Sequence, residues 1–344
     1  MKTPLGLPGV LDGLTNTEKR SASVHAASLP DPSQLFRVAP GIACLVYPLL
    51  VWCISGVSPI FLIFALLVPV CCAYAAFHLA GSNFRVANTV AHFGIGAPAL
   101  YSLMGQWLDS QKVLPFHGNT AWAALWLTLT GLSFAAKPSV HVSKPMPSRL
   151  AFVHGVSAIP ILLFVLVHLT NHLAGLWGGE AHIAFMHRAR LVYRVPAVET
   201  ALVFCLLFQL TTGLVLVWRS INAQPAGNWM KRLQSISGAY IALFLMSHAS
   251  AVARTRYLHH VDTNWVWLTS SNLLTDQWSA RLTPYYFLGI VAISLHVACA
   301  ARFVLLGHGM NESSSNRIFG VVAGAGSVAA IAIMTGLIRG SFHF

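Results

Sequence analysis

Long apolar runs decide the solvent of this chain. Windows near residues 39–55, 58–80, 88–107, 119–136, 150–175, 196–218, 234–253, 284–305 and 318–338 are each apolar over about the length that crosses hydrocarbon, the first and fourth being the shortest. Backbone in hydrocarbon has no water to bond, so runs of this length must close their hydrogen bonds internally as helices. Only 9% of the residues are charged and 56% are hydrophobic, against roughly 25% charged in soluble domains. The expectation is an all-α integral membrane protein with about nine transmembrane helices in a lipid bilayer.

The net charge of +12 is spread over short loops and span ends rather than gathered in one basic patch, which argues against nucleic acid. Lys2, Lys19, Arg20, Arg37, Arg85, Lys137, Lys144, Arg149, Arg219, Lys231 and Arg232 fall on one side of a nine-span topology. The positive-inside rule then places the N-terminus in the cytoplasm and the C-terminus on the opposite side, in a bacterial inner membrane or a mitochondrial membrane. Residues 1–37 mix Pro, Ser, Gly and charges without the core of a removable signal peptide, and read as a mobile cytoplasmic tail. Cys44, Cys53, Cys71, Cys72, Cys205 and Cys299 all lie in apolar runs, in no arrangement that suggests a disulfide, an iron–sulfur cluster or covalently attached haem.

One pattern occurs twice. Ser157 and Ser237 are each followed seven residues on by Phe (Phe164, Phe244) and eleven on by His (His168, His248). Eleven steps of about 100° return to nearly the same helix face, so each Ser and His share a stripe with the Phe beside it. Fourteen residues before each His stands His154 or Gln234, and a fainter copy runs His92, Pro98, Gln106 at the spacing of His154, Pro160, His168. Leu129-Thr130-Gly131-Leu132 likewise echoes Thr211-Thr212-Gly213-Leu214. These periodicities predict three helix-hairpin units at 88–136, 150–218 and 234–305. The domains expected are N-terminal transmembrane hairpins over 38–137, with the degenerate repeat at 88–136, a four-helix core at 150–305, and a C-terminal transmembrane helix within 306–344.

An imidazole deep in lipid needs a partner or a task. A hydrogen bond across a helix interface is the plainer role for His168 and His248. Their equivalent places in two repeats favour shared coordination of one haem b through two axial imidazoles. Ser157, Ser237 and Gly238 are small enough to lie beside a flat macrocycle, and equally to let helices approach. His296 is a candidate second-site ligand, but its repeat counterpart, matched through Gln209-x-x-x-Gly213 and His296-x-x-x-Ala300, is Gln209, a poor haem ligand. Arg188, Arg190 and Arg194 could fork onto haem propionates, or serve in a headgroup-binding basic and aromatic belt.

Other chemistry lacks its residues. Only Glu199 among the acids lies near the membrane interior, which disfavours an ion-coupled or three-repeat transporter. No usable G-x-G-x-x-G, Walker loop, G-x-S-x-G or H-E-x-x-H occurs, so no catalytic site is recognisable.

Gln234-Ser235-Ile236-Ser237-Gly238, Phe244 and His248, followed by Pro284, Tyr286, His296 and Arg302, resemble the Q-S-x-[ST]-G-x(9)-H and P-x-Y…H…R patterns of the cytochrome b membrane anchors of succinate dehydrogenases and fumarate reductases. The likeness covers roughly 150–305. Fungal mitochondrial membrane proteins with the same duplicated pattern, linked to lipid homeostasis, are similar too. The resemblance implies that His168 and His248 are an outer-haem pair and His296 an inner-haem ligand, with Gln209 where its partner histidine should stand. It implies at most one bis-histidine haem, puts quinone chemistry linked to the inner haem in doubt, and implies a quinol or a partner protein as electron source and flavoprotein or iron–sulfur subunits as companions. The expected function is that of a membrane-bound b-type cytochrome passing single electrons. The alternative is a haem-free or haem-vestigial protein of lipid and membrane homeostasis.

Overall fold

The computed structural model describes residues 32–108, 118–139, 148–221 and 229–342. Among them all regular structure is helical and none is strand. The helices are α1 (Pro32–Gly56), α2 (Phe61–Leu79), α3 (Arg85–Ile95), α4 (Ala97–Leu108), α5 (Gly118–Ala135), α6 (Ser148–Ala174), α7 (Gly179–Tyr193), α8 (Pro196–Ile221), α9 (Trp229–Ala253), α10 (Trp265–Thr269), α11 (Leu282–Gly307) and α12 (Glu312–Ser341). The tail expected over 1–37 falls outside the described residues up to position 31, and from Pro32 onward it is helix.

Among the described residues seven segments, built on α1, α2, α6, α8, α9, α11 and α12, are long and apolar enough to cross a membrane. The windows 88–107 and 119–136 are helical but do not qualify. The first is cut at Gly96 into pieces of 11 and 12 residues, and the second is an 18-residue helix with two Trp, three Thr and an Asn diluting its apolar run. Gly96 brings backbone close to a neighbour: a Cβ there would lie 2.2 Å from Leu243 Cδ1. Asn88, His92, Ser102 and Gln106 on these two short helices are all buried, and α3 and α4 both pack along α9. Irregular backbone and polar side chains are tolerated at membrane depth when protein rather than lipid surrounds them.

Five helices form a closed ring. α6 packs on α8, α8 on α9, α9 on α11, α11 on α12, and α12 back on α6, whereas α6 does not form a close-packed pair with α9 or α11. The C-terminal helix, expected outside a four-helix core, therefore completes that core. Asn311 starts it by accepting the Ser314 amide at 2.8 Å, one of the four donors a helix N-terminus leaves free.

The N-terminal hairpins pack around Cys44, Tyr47, Cys72, Trp122 and Trp126, in a cluster shared with Ile236 and Tyr240 of α9 and Ala292 of α11. They are tied to the ring by polar contacts: Asn88 Nδ2 donates to the Ile221 carbonyl (3.2 Å), Arg232 to that of Phe77 (2.8 Å) and Arg254 to that of Gln106 (2.9 Å). At one end of the ring Trp265 is buried against Gly175, Gly179 and Gly340, where an added Cβ would fall 2.4, 2.5 and 2.5 Å from its ring atoms. That indole locks α10 to α7, α12 and the turn after α6.

Candidate functional site

The duplicated pattern is realised as duplicated geometry. In α6 the Phe164 ring stacks on His168 with centres 5.6 Å apart and planes at 19°, and in α9 Phe244 stacks on His248 at 5.4 Å and 6°. The two imidazoles meet edge to face, with centres 6.0 Å apart and planes at 67°. All four side chains are partly buried. Tyr286 of α11 closes the far side of His248, its ring centre 6.1 Å away.

Two further histidines extend this pair. His172 Nε2 lies 3.3 Å from His168 Nε2, and the His172 ring centre is 5.4 Å from that of His182. Asn171 Nδ2 approaches His182 Nε2 at 3.1 Å, so the amide donates and His182 carries its proton on Nδ1. The Nδ1 atoms of His172 and His182 are buried with no hydrogen-bond partner among the described residues. Burial, then the neighbouring His168 and Arg190, lowers the His182 pKa to about 4. Sequence reading left His182 in an outer connection at 176–195. The connection is the helix α7, and the His182 ring packs 4.9 Å from Trp265. The second long connection, 254–283, likewise holds a π-helical extension of α9 (Arg254–Leu258) and α10.

Of the three arginines read as able to fork onto propionates or to serve in a headgroup belt, two have a carboxylate partner. Arg190 makes a 2.9 Å ion pair with Asp262 and donates to the Thr263 carbonyl, and Arg194 approaches the same carboxylate at 3.9 Å. The Arg190 hydrogen bond is the leading reason that the Asp262 carboxyl titrates below its usual range. Arg188 points to the exposed side of α7. Glu199, which opens α8, is clasped by the Arg256 guanidinium and the Tyr257 hydroxyl, so the one interior acid is a fastener between α8 and the end of α9.

Toward the other end the repeat is equally regular. Gln209 Nε2 donates to the His154 carbonyl and to Ser157 Oγ, both at 2.7 Å. At the matching place His296 Nδ1 lies 3.1 Å from the Gln234 carbonyl and 3.3 Å from Ser237 Oγ. Gln209 and His296 are thus structural counterparts, as the spacing implied. Gly238 sits against the His296 ring, where a Cβ would be 3.2 Å from Cε1. The third copy keeps little of this. Nothing lies within 4 Å of a Cβ at Gly131, while one at Gly213 would meet His154 Cε1 at 3.4 Å.

A metal bound by one nitrogen of each ring, through bonds of about 2.0–2.1 Å, sets the ring centres roughly 6 Å apart. The His168–His248 ring separation is close to that value, and α6 and α9 do not pack closely on each other. His172 is the side chain that must turn aside. A small tetrahedral ion shared by His168 and His172 would also fit their 3.3 Å spacing, but no third His, Cys, Asp or Glu joins them within metal-binding reach among the described residues. The openings elsewhere are apolar. One of about 570 Å³ between α4, α8 and α9 is lined by Leu103, Trp107, Leu206, Leu210, Leu245 and Met246 among others, with no group placed to orient a reacting substrate.

Comparison with protein-family models, with curated proteins and with solved structures gives no match.

Proposed function

We propose that this chain is a membrane-bound b-type cytochrome in which His168 and His248 hold one haem inside the five-helix ring. The observation that carries the reading is the 6.0 Å separation of two imidazoles, each backed by its own Phe, on two helices of one repeat. Haem so bound supplies one-electron transfer, because protein nitrogens fill both axial positions and leave none for oxygen or substrate. Phe164 and Phe244 fix the two ring planes, and Tyr286 packs against His248 from α11. Arg190 and Arg194 serve this end of the bundle through Asp262. Electrons come from a quinol or from a redox protein.

The same reading takes the broken helix α3–α4 and α5 as two further crossings, making nine, with the N-terminus on the cytoplasmic side and residue 342 on the other. Support comes from the packing of both α3 and α4 along α9, itself a spanning helix.

Purified protein should give sharp b-type bands in a reduced-minus-oxidised spectrum, and His168→Ala or His248→Ala should each lower bound haem by one per chain. Haem content unchanged in both variants would overturn the ligand assignment.

A further inference from the structure

We propose that an anionic phospholipid binds where α7 runs into α8, with its phosphate at Arg194 and one acyl chain in the groove between α6 and α8. The site is independent of the haem reading.

The head of the site is a cluster with a surplus of positive charge. Arg190 pairs with Asp262 at 2.9 Å and Arg256 clasps Glu199, so each carboxylate already has its guanidinium. Arg194 is the cation left over. Its one ion pair among the described residues, to Asp262, is long at 3.9 Å, and its Nε is buried with no hydrogen-bond partner there. Burial, then the like charges of Arg190 and Arg256, holds the Arg194 guanidinium below its ordinary value. A cation so crowded gains most from an anion that brings its own acceptor oxygens, and a phosphodiester takes a guanidinium through two parallel hydrogen bonds. The Arg194 side chain is 26% exposed, which leaves it within reach of such an anion.

Depth points to lipid as the source of that phosphate. Arg194 stands just before Pro196, where one spanning segment begins, and the segments built on α6 and α9 end at Trp177 and Leu258. These ends share one side, since Arg256 near the end of α9 meets Glu199 near the start of α8. Trp177 and Tyr257 are 78% and 57% exposed, as aromatic side chains at headgroup level are.

The tail of the site follows directly. Pro160 of α6 and Ala197, Val198, Ala201, Leu202 and Cys205 of α8 line an apolar groove of about 320 Å³. Positions 194, 197, 201 and 205 recur at intervals of three or four, so Arg194 stands at the outer end of the stripe that forms the groove floor. From Ala197 to Cys205 the groove runs ~12 Å toward the bilayer centre at 1.5 Å per residue. Ala197 and Ala201 keep it open because their side chains stop at Cβ. A fixed charge above a strip of bare hydrocarbon matches both ends of a phospholipid, and only one end of a free phosphate.

The test is lipid retention by detergent-purified full-length chain washed in micelles that carry equal dioleoylphosphatidylglycerol and dioleoylphosphatidylcholine, with size-exclusion profile as the folding control. One phosphatidylglycerol per chain is expected to stay and to raise the melting temperature, whereas phosphatidylcholine does neither. Arg194→Gln should weaken phosphatidylglycerol retention about tenfold, through loss of charge-assisted hydrogen bonding. Ala201→Phe, which fills the groove from an exposed position, should abolish retention with the arginine intact. Equal retention of the two lipids, or retention unchanged in either variant, overturns the site and reduces its contacts to those of ordinary boundary lipid. Displacement by excess inorganic phosphate overturns the lipid as occupant.

Discussion

His182 bears a cost that its neighbours impose. It is 2% exposed, accepts from Asn171 and has its pKa lowered to about 4, chiefly by burial. Between the unfolded value near 6.5 and the folded value, the unfolded chain binds a proton that the native chain refuses, so stability rises with pH across that window. The contribution is complete above about pH 6.5, and as much as ~3 kcal/mol is lost as pH falls toward 4. Melting temperature should thus climb from pH 4.5 to 7, and His182→Gln, which still accepts from Asn171, should flatten the slope; an equal slope in the variant counts against it. His168 and His248 were legible beforehand because an eleven-residue interval repeated in two apolar runs marks them. His172 stood out only as one imidazole among several in apolar runs, since it breaks the repeat, and His182 did not stand out, since it lies in a polar segment without helical periodicity. Gln209 was matched correctly to His296, yet nothing in spacing could show that its amide would be taken by α6.

Helix contacts carry the site through small residues. Gly289 on α11 faces the Phe244 ring, and a Cβ there would fall 2.4 Å from Cε2. Because Phe244 stacks on His248, Gly289→Ala must displace the ring that orients the proposed ligand. Overpacking of this kind costs about 1–3 kcal/mol, and the variant should show a lowered melting point together with a shifted haem band. A band identical to wild type would mean that Phe244 does not set the imidazole. Trp265→Ala, which empties the space among three glycines, should cost about 3–5 kcal/mol, read as an earlier unfolding transition in detergent. The apolar windows located the long helices but not α7 or α10, and the cut at Gly96 escaped them: hydropathy averages over the window, whereas the break answers to Leu243 on a distant helix.

For the whole molecule, counting seven or nine crossings leaves later helices on the same side, because the pair α3–α4 and α5 either both cross or both stay. The sidedness of α6 through α12 is therefore independent of that count. A cysteine placed at Gln111, between the two, separates the counts: with nine crossings it reacts with impermeant maleimide from the face opposite the N-terminus. Labelling from the N-terminal face would reduce the number to seven. The ring did not show in the sequence, since closure of α12 onto α6 depends on contacts more than a hundred residues apart.

That closure bears on biogenesis. α12 leaves the ribosome after the other four walls, so the growing chain passes through a stage in which α6 and α11 flank an unsealed side. A rigid disc the size of a porphyrin has a doorway during that stage and loses it once α12 docks. On the haem reading proposed above, loading would belong to the interval of membrane insertion, and mature protein without the group should take it up slowly, at the rate with which one helix lifts away from its neighbours.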